Sequence, residues 1–117
     1  TVAIDVKTGQ IVWHYQGTPN DGWDFDGVNE FITYEEGGKI LGGKADRNGF
    51  FYVLDRANGK LITANPYVKV NWADRIDLAS GRPVESDVTK RIRAGGDEEV
   101  WRATRCRSKW CGWTRFP

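Results

Sequence analysis

Asp5-Val6-Lys7-Thr8-Gly9-Gln10 recurs as Asp55-Arg56-Ala57-Asn58-Gly59-Lys60 and again as Asp77-Leu78-Ala79-Ser80-Gly81-Arg82. Each copy reads Asp, two variable residues, then Thr, Asn or Ser, then Gly and a long polar residue. That order suits a tight hairpin. The carboxylate accepts hydrogen bonds from backbone N–H groups inside the turn, and glycine supplies a positive φ. Apolar segments flank the turns: Val2-Ala3-Ile4 and Ile11-Val12-Trp13 around the first, Phe50-Phe51-Tyr52-Val53-Leu54 and Leu61-Ile62 around the second. Alternation of this kind predicts strands.

The first two copies lie 50 residues apart, a spacing typical of four-stranded propeller blades. The third follows after only 22, which leaves a decorated loop or an incomplete blade open. Further strands are expected at Glu30-Phe31-Ile32-Thr33-Tyr34 and Lys39-Ile40-Leu41, around a turn at Glu35-Glu36-Gly37-Gly38. A short helical turn is expected from Asp87 to Arg93. The fold class is all-β, a partial β-propeller of about two blades with an irregular C-terminal tail.

Composition agrees. The 117 residues hold 14 Gly, 6 Trp, 4 Tyr and 5 Phe, with 39% hydrophobic residues and a net charge of +1, which argues against disorder. No run approaches the ~18 apolar residues of a membrane span, and no leader sequence is visible. Because the chain opens inside a strand-like pattern, it is expected to be a piece of a longer protein. The neutral total hides an asymmetry: residues 1–87 carry a net charge of −4 and residues 88–117 a net of +5.

Longer strings carry a family resemblance. Ala3-x-Asp5-x-x-Thr8-Gly9-Gln10-x-x-Trp13 resembles the tryptophan-docking motif of quinoprotein dehydrogenase propellers, and the second copy departs from it with Thr63 in the tryptophan slot. Trp13-His14-Tyr15-Gln16, Thr18-Pro19-Asn20-Asp21-Gly22-Trp23-Asp24-Phe25-Asp26-Gly27-Val28-Asn29-Glu30 and Lys44-Ala45-Asp46-Arg47-Asn48-Gly49-Phe50 resemble the active-site segments of dehydrogenases that use pyrroloquinoline quinone (PQQ). Val70-Asn71-Trp72-Ala73 continues the likeness, which covers roughly residues 1–101.

The resemblance implies an eight-bladed propeller and a periplasmic, PQQ-dependent alcohol dehydrogenase that passes electrons to a cytochrome c. It places Asp24 as the catalytic base and a metal ligand, and Arg47 as a cofactor contact. Asp26 stands where lanthanide-dependent members carry a second aspartate, so the ion is calcium or a lanthanide. On a strand, Asp24 and Asp26 would point to one face and reach one ion. The chemistry is coherent. A carboxylate takes the hydroxyl proton as hydride leaves the alcohol carbon, a cation acts as Lewis acid, and a guanidinium offsets negative charge on the quinone oxygens.

Blander readings stand beside these. Asp21, Asp24 and Asp26 also suit a solvated acidic loop, and Arg47 also suits a hairpin turn through Asn48-Gly49. His14 reads as structural or exposed. The likeness ends near Trp101, which sets residues 102–117 apart as a basic tail of the sort a shifted reading frame or a disordered terminus produces. Its tryptophans and basic residues are not expected to bind nucleic acid, and Cys106 and Cys111 suit a disulfide or half a zinc site. Two competing classes are a non-catalytic propeller scaffold, as in outer-membrane assembly lipoproteins, and a gene fragment without function of its own.

Overall fold

The computed structural model describes residues 1–101; the tail from 102 to 117, with both cysteines, lies outside the described residues. Among the described residues, eight strands form three antiparallel sheets. Strands β1 (Val2–Ile4) and β2 (Ile11–His14) make a hairpin with Ala3 opposite Trp13. Strands β3 (Ile32–Glu36), β4 (Lys39–Ala45), β5 (Phe50–Asp55) and β6 (Leu61–Pro66) pair in sequence order as a four-stranded meander. Strands β7 (Ala73–Asp77) and β8 (Arg82–Glu85) form a second hairpin. Helix α1 (Asp87–Arg93) follows, capped by Ser86, whose side chain accepts the Thr89 N–H. The third repeat therefore builds its own hairpin, and one whole blade sits between two pairs of strands.

The three repeated turns are built alike. Asp5 accepts the N–H groups of Lys7 and Thr8 at 2.8 and 3.1 Å, Asp55 that of Ala57 at 2.8 Å, and Asp77 that of Ser80 at 3.1 Å. In each, the glycine N–H returns to the aspartate carbonyl at 2.7–2.8 Å. The glycines sit at φ of +70° to +72°, the left-handed region that a side chain disfavours.

Aromatic side chains cover two of these turns. The Trp13 indole donates to Arg56 O at 2.8 Å and lies so close to Gly59 that a Cβ there would stand 2.6 Å from the ring. Tyr15 covers the third turn in the same way, its hydroxyl donating to Gly81 O at 3.1 Å. Both rings come from β2 and its exit, so the first hairpin is joined to the second turn by Trp13 and to the third by Tyr15, and the tryptophan-docking motif docks as its resemblance implies.

The core lies on β5 and its flanks: Phe25, Phe50, Tyr52, Leu54, Leu61, Trp72, Ala73 and Ile76 are buried together. Burying one such large apolar side chain contributes about 1.5–3 kcal/mol. Elsewhere the sheets leave apolar faces open. Val2, Ile4, Ile11 and Val12 on the first hairpin, and Ile32, Tyr34 and Ile40 on the blade, are exposed.

Strand β3 begins two residues later than the sequence predicted, since Phe31 is only partly exposed and packs against the core instead of pairing. The turn after it centres on Gly37 and Gly38, both at positive φ, as a two-residue hairpin loop requires.

Candidate functional site

The acidic segment between β2 and β3 is a loop, so the expected strand geometry for Asp24 and Asp26 does not hold. Both aspartates adopt left-handed backbone conformations, with φ of +57° and +48°. Aspartate enters that region more readily than most residues, although about 1–3 kcal/mol of strain is usual. Asp21 organises the loop, its two carboxylate oxygens accepting Trp23 N at 2.9 Å and Phe25 N at 3.0 Å. Trp23 and Phe25 turn inward against Trp72, with ring centroids 6.0 and 5.6 Å from it. Asp24, between those rings, and Asp26, just after Phe25, are left exposed. The two carboxylates do share a face, but the left-handed residues put them there and not a strand pleat.

The two side chains meet. A hydrogen bond to Asp24 and the charge of Asp24 lift the Asp26 carboxyl above its ordinary pKa, with Asp21 adding to the effect and Arg47 opposing it. Arg47 reaches the loop from the β4–β5 turn, its Nη1 standing 3.5 Å from Asp26 O. All three residues singled out in the sequence therefore converge, although 21 residues separate Asp26 from Arg47. His14 is exposed at the end of β2 and takes no part.

The turn that presents Arg47 differs from the one the sequence suggested. Gly49 N–H donates to Asp46 O at 2.9 Å, which makes Arg47 and Asn48 the central pair, and Gly49 follows at φ +95°. Asn48 is wholly buried, where a turn residue was expected. Its amide donates to Thr18 Oγ1 at 2.9 Å and Tyr52 OH at 2.7 Å, and its carbonyls accept Phe50 N–H and the Trp72 indole N–H. This one side chain ties the start of the acidic loop to β5 and to the turn carrying Arg47.

Further residues escaped the sequence reading. Arg93 of α1, paired with Glu85 at 2.8 Å, lies 5.4 Å over the Trp23 ring and braces the loop from the far side. Asn71 accepts Trp101 N–H at 2.7 Å and donates to Glu99 O at 2.8 Å, so one amide holds the end of the described chain. No local pattern marks such residues, because each works through a partner far along the chain.

Chemically, two facing carboxylates form a hard-oxygen donor pair, and a cation between them would relieve their repulsion. They supply only part of a coordination sphere. Among the described residues no group of three or more His, Cys, Asp or Glu side chains is placed to hold a metal. Arg47 fits an anionic or electron-rich ligand beside the pair. A shallow cleft of about 350 Å³ lies elsewhere, walled by Pro19, Asn20, Arg82, Pro83, Glu85 and Arg93, and the site itself is open to solvent.

The family described as glucose/ethanol/alcohol dehydrogenase, PQQ β-propeller domain, matches residues 1–113. The quinoprotein alcohol dehydrogenase PedH of Pseudomonas putida is 52% identical over 101 residues, which is 82% of this chain and 17% of that protein. The lanthanide-dependent methanol dehydrogenase of Methylacidiphilum fumariolicum is 50% identical over 96 residues, covering 77% of this chain and 15% of its own length. Among solved structures, a europium-containing methanol dehydrogenase superimposes with a TM-score of 0.69 at 47% identity, over 74% of this chain and 16% of that one. The chain thus spans about one sixth of the length of these relatives.

Proposed function

Because the chain belongs to the PQQ-containing glucose/ethanol/alcohol dehydrogenase propeller family, we propose that its acidic loop and the Arg47 turn form one wall of an alcohol dehydrogenase active site, with Asp24 as the general base. The observation that carries this reading is the meeting of Asp24 and Asp26 beside Arg47. The substrate is a primary alcohol, oxidised to the aldehyde. When bound, PQQ would supply the two-electron acceptor for the alcohol's hydride, and Ca²⁺ or a lanthanide ion would supply a Lewis acid, with Asp24 and Asp26 as the residues that would hold the cation and Arg47 as the one beside the cofactor.

The chain's own residues do the rest. Asp24 takes the proton of the alcohol hydroxyl at a carboxylate oxygen, a role that needs hydrogen-bond reach and an ionised carboxylate. Asp24 and Asp26 together hold the cation, and the second carboxylate suits an ion of charge three better than one of charge two. The Arg47 guanidinium balances negative charge that develops on the cofactor oxygens. Cation and proton compete for the Asp24–Asp26 pair, so cation affinity rises with pH through the raised Asp26 titration.

Electrons leave to a cytochrome c, and the setting is the periplasm; family resemblance supports both. A propeller serving only as a protein-binding scaffold would need the docking turns but not a loop that forces two aspartates into left-handed conformations.

Substitution Asp24→Asn in the complete propeller tests the assignment. Turnover should fall by about 10²–10⁴-fold, with circular dichroism unchanged. Near-normal kcat would remove Asp24 from its role. The chain alone, spanning 17% of a relative such as PedH, should show no PQQ-dependent dye reduction, and measurable reduction would overturn that expectation.

A further inference from the structure

The carboxylate loop is gripped from behind by a pair of charges that the chemistry above does not use. Lys44, the second-last residue of β4 before the Arg47 hairpin, donates from Nζ to Gly27 O at 2.6 Å and pairs with Asp46 at 3.0 Å. Their side chains are only 16% and 13% exposed. Solvent screens such a pair less than it screens a surface pair. The Asp46 carboxylate lies flat against Gly27, where a Cβ would stand 2.6 Å from both of its oxygens. It also accepts Asn48 N–H at 3.3 Å, which sets the pair into the turn that presents Arg47. On the other side of the same peptide, Asp26 O accepts Val28 N–H at 2.7 Å.

We infer that Lys44 and Asp46 are positioning residues, an ion-pair latch that clamps the Gly27 peptide and thereby fixes how closely the Asp24 and Asp26 carboxylates face each other. The inference rests on the reading of those two aspartates as cation ligands. Lys44 sits on the wrong side of the Coulomb balance for any other help to a cation site, since a nearby ammonium repels the ion. Its contribution is geometric. It holds the carbonyl next to Asp26, and Asp46 closes the space around Gly27.

That opposition of charge and geometry makes the test decisive. Hydrogen exchange is measured on the full chain, and terbium(III) alone is titrated through luminescence sensitised by Trp23, beside Asp24. In Lys44→Met the Val28 amide should exchange about tenfold faster, while Val53 in β5 is unchanged. Terbium affinity should fall about tenfold or more, as it does when a residue supporting a metal ligand is lost. Removal of a positive charge by itself would raise that affinity. Lys44→Arg, which keeps a donor for Gly27 O, should restore both readouts to within about twofold of the parent.

Gly27→Ala should weaken terbium binding with both latch charges intact. Unchanged Val28 exchange in Lys44→Met, or terbium affinity that holds or rises, overturns the latch. If Asp24→Asn and Asp26→Asn leave terbium affinity unaltered, the cation reading itself fails, and Val28 exchange still decides whether the latch exists.

Discussion

The repeated turns and the acidic loop use the same residue for opposite ends. In the turns each aspartate folds back on its own backbone. N–H groups of Lys7 and Thr8 hold the Asp5 carboxyl below its ordinary pKa, and the Ser80 hydroxyl and N–H do the same for Asp77. In the loop that service falls to Asp21, which takes the N–H groups of Trp23 and Phe25. Asp24 and Asp26 then face each other, and Asp26 is driven the other way, above its ordinary pKa. A carboxylate stabilised by its own backbone serves the fold. One held against a second carboxylate is raised in pKa, and under the proposed function that repulsion is what a bound cation would relieve.

The comparison breaks most visibly at Asp26. In the complete propeller, Asp26→Ala should reduce the activation by lanthanide ions by at least the ~10–100-fold that follows loss of a residue supporting a metal ligand, and reduce the calcium response much less. Dye-linked activity against each ion measures this, and equal losses with both would argue against a lanthanide role for the second carboxylate. The equivalent change in a turn, Asp5→Ala, should leave both ion responses alone.

A smaller effect sharpens the structural side. Gly9 and Gly59 share a φ of +72°, but a Cβ on Gly59 would strike Trp13 whereas one on Gly9 would meet nothing within 4 Å. Gly9→Ala should therefore show only the left-handed penalty of about 1–2 kcal/mol. Gly59→Ala should add about 1–3 kcal/mol from overpacking. Denaturant unfolding of the two variants separates the terms, and equal destabilisation would mean that Trp13 does not rest on the second turn.

The smallest effect is in the pH dependence of stability. Asp5 and Asp77 have lowered pKa values, so their contribution is present above the ordinary carboxylate pKa and is lost as pH falls through the lowered ones. Asp26 has a raised value, so its contribution is complete below the ordinary pKa and is lost as pH rises through the raised one. Without added metal, Asp26→Asn should abolish that loss on the rising side. Thermal melts from mildly acidic to neutral pH check the sign, and an unchanged profile would show that the two carboxylates are not coupled.

Much of this architecture is legible before any coordinates. The three turns, most strands and the helix from Asp87 to Arg93 follow local rules, because each turn's hydrogen bonds close within about five residues. The acidic loop was legible in its members and illegible in its form. Asp24 and Asp26 alternate with aromatics as a strand would, yet the chain makes no ladder there and bends left-handed at both. Asn48-Gly49 looks like a simple hairpin turn and is instead the buried junction of Thr18, Tyr52 and Trp72. β7 and β8 were not expected as strands: Arg82-Pro83-Val84-Glu85 carries no alternating apolar signal, and the turn between them alone left a decorated loop or an incomplete blade open.

By itself the sequence determined where the chain turns and where most of its strands lie, and it singled out Asp24, Asp26 and Arg47 as candidate site residues, since turn formation and side-chain alternation depend on neighbours a few positions away. Tertiary structure alone decided that Asp24 meets Asp26, that Arg47 reaches them, and that Lys44 and Asp46 grip the peptide between. Those relations depend on the approach of two loops separated by some twenty residues. That approach is set by the burial of Trp23, Phe25 and Trp72, which no local pattern encodes.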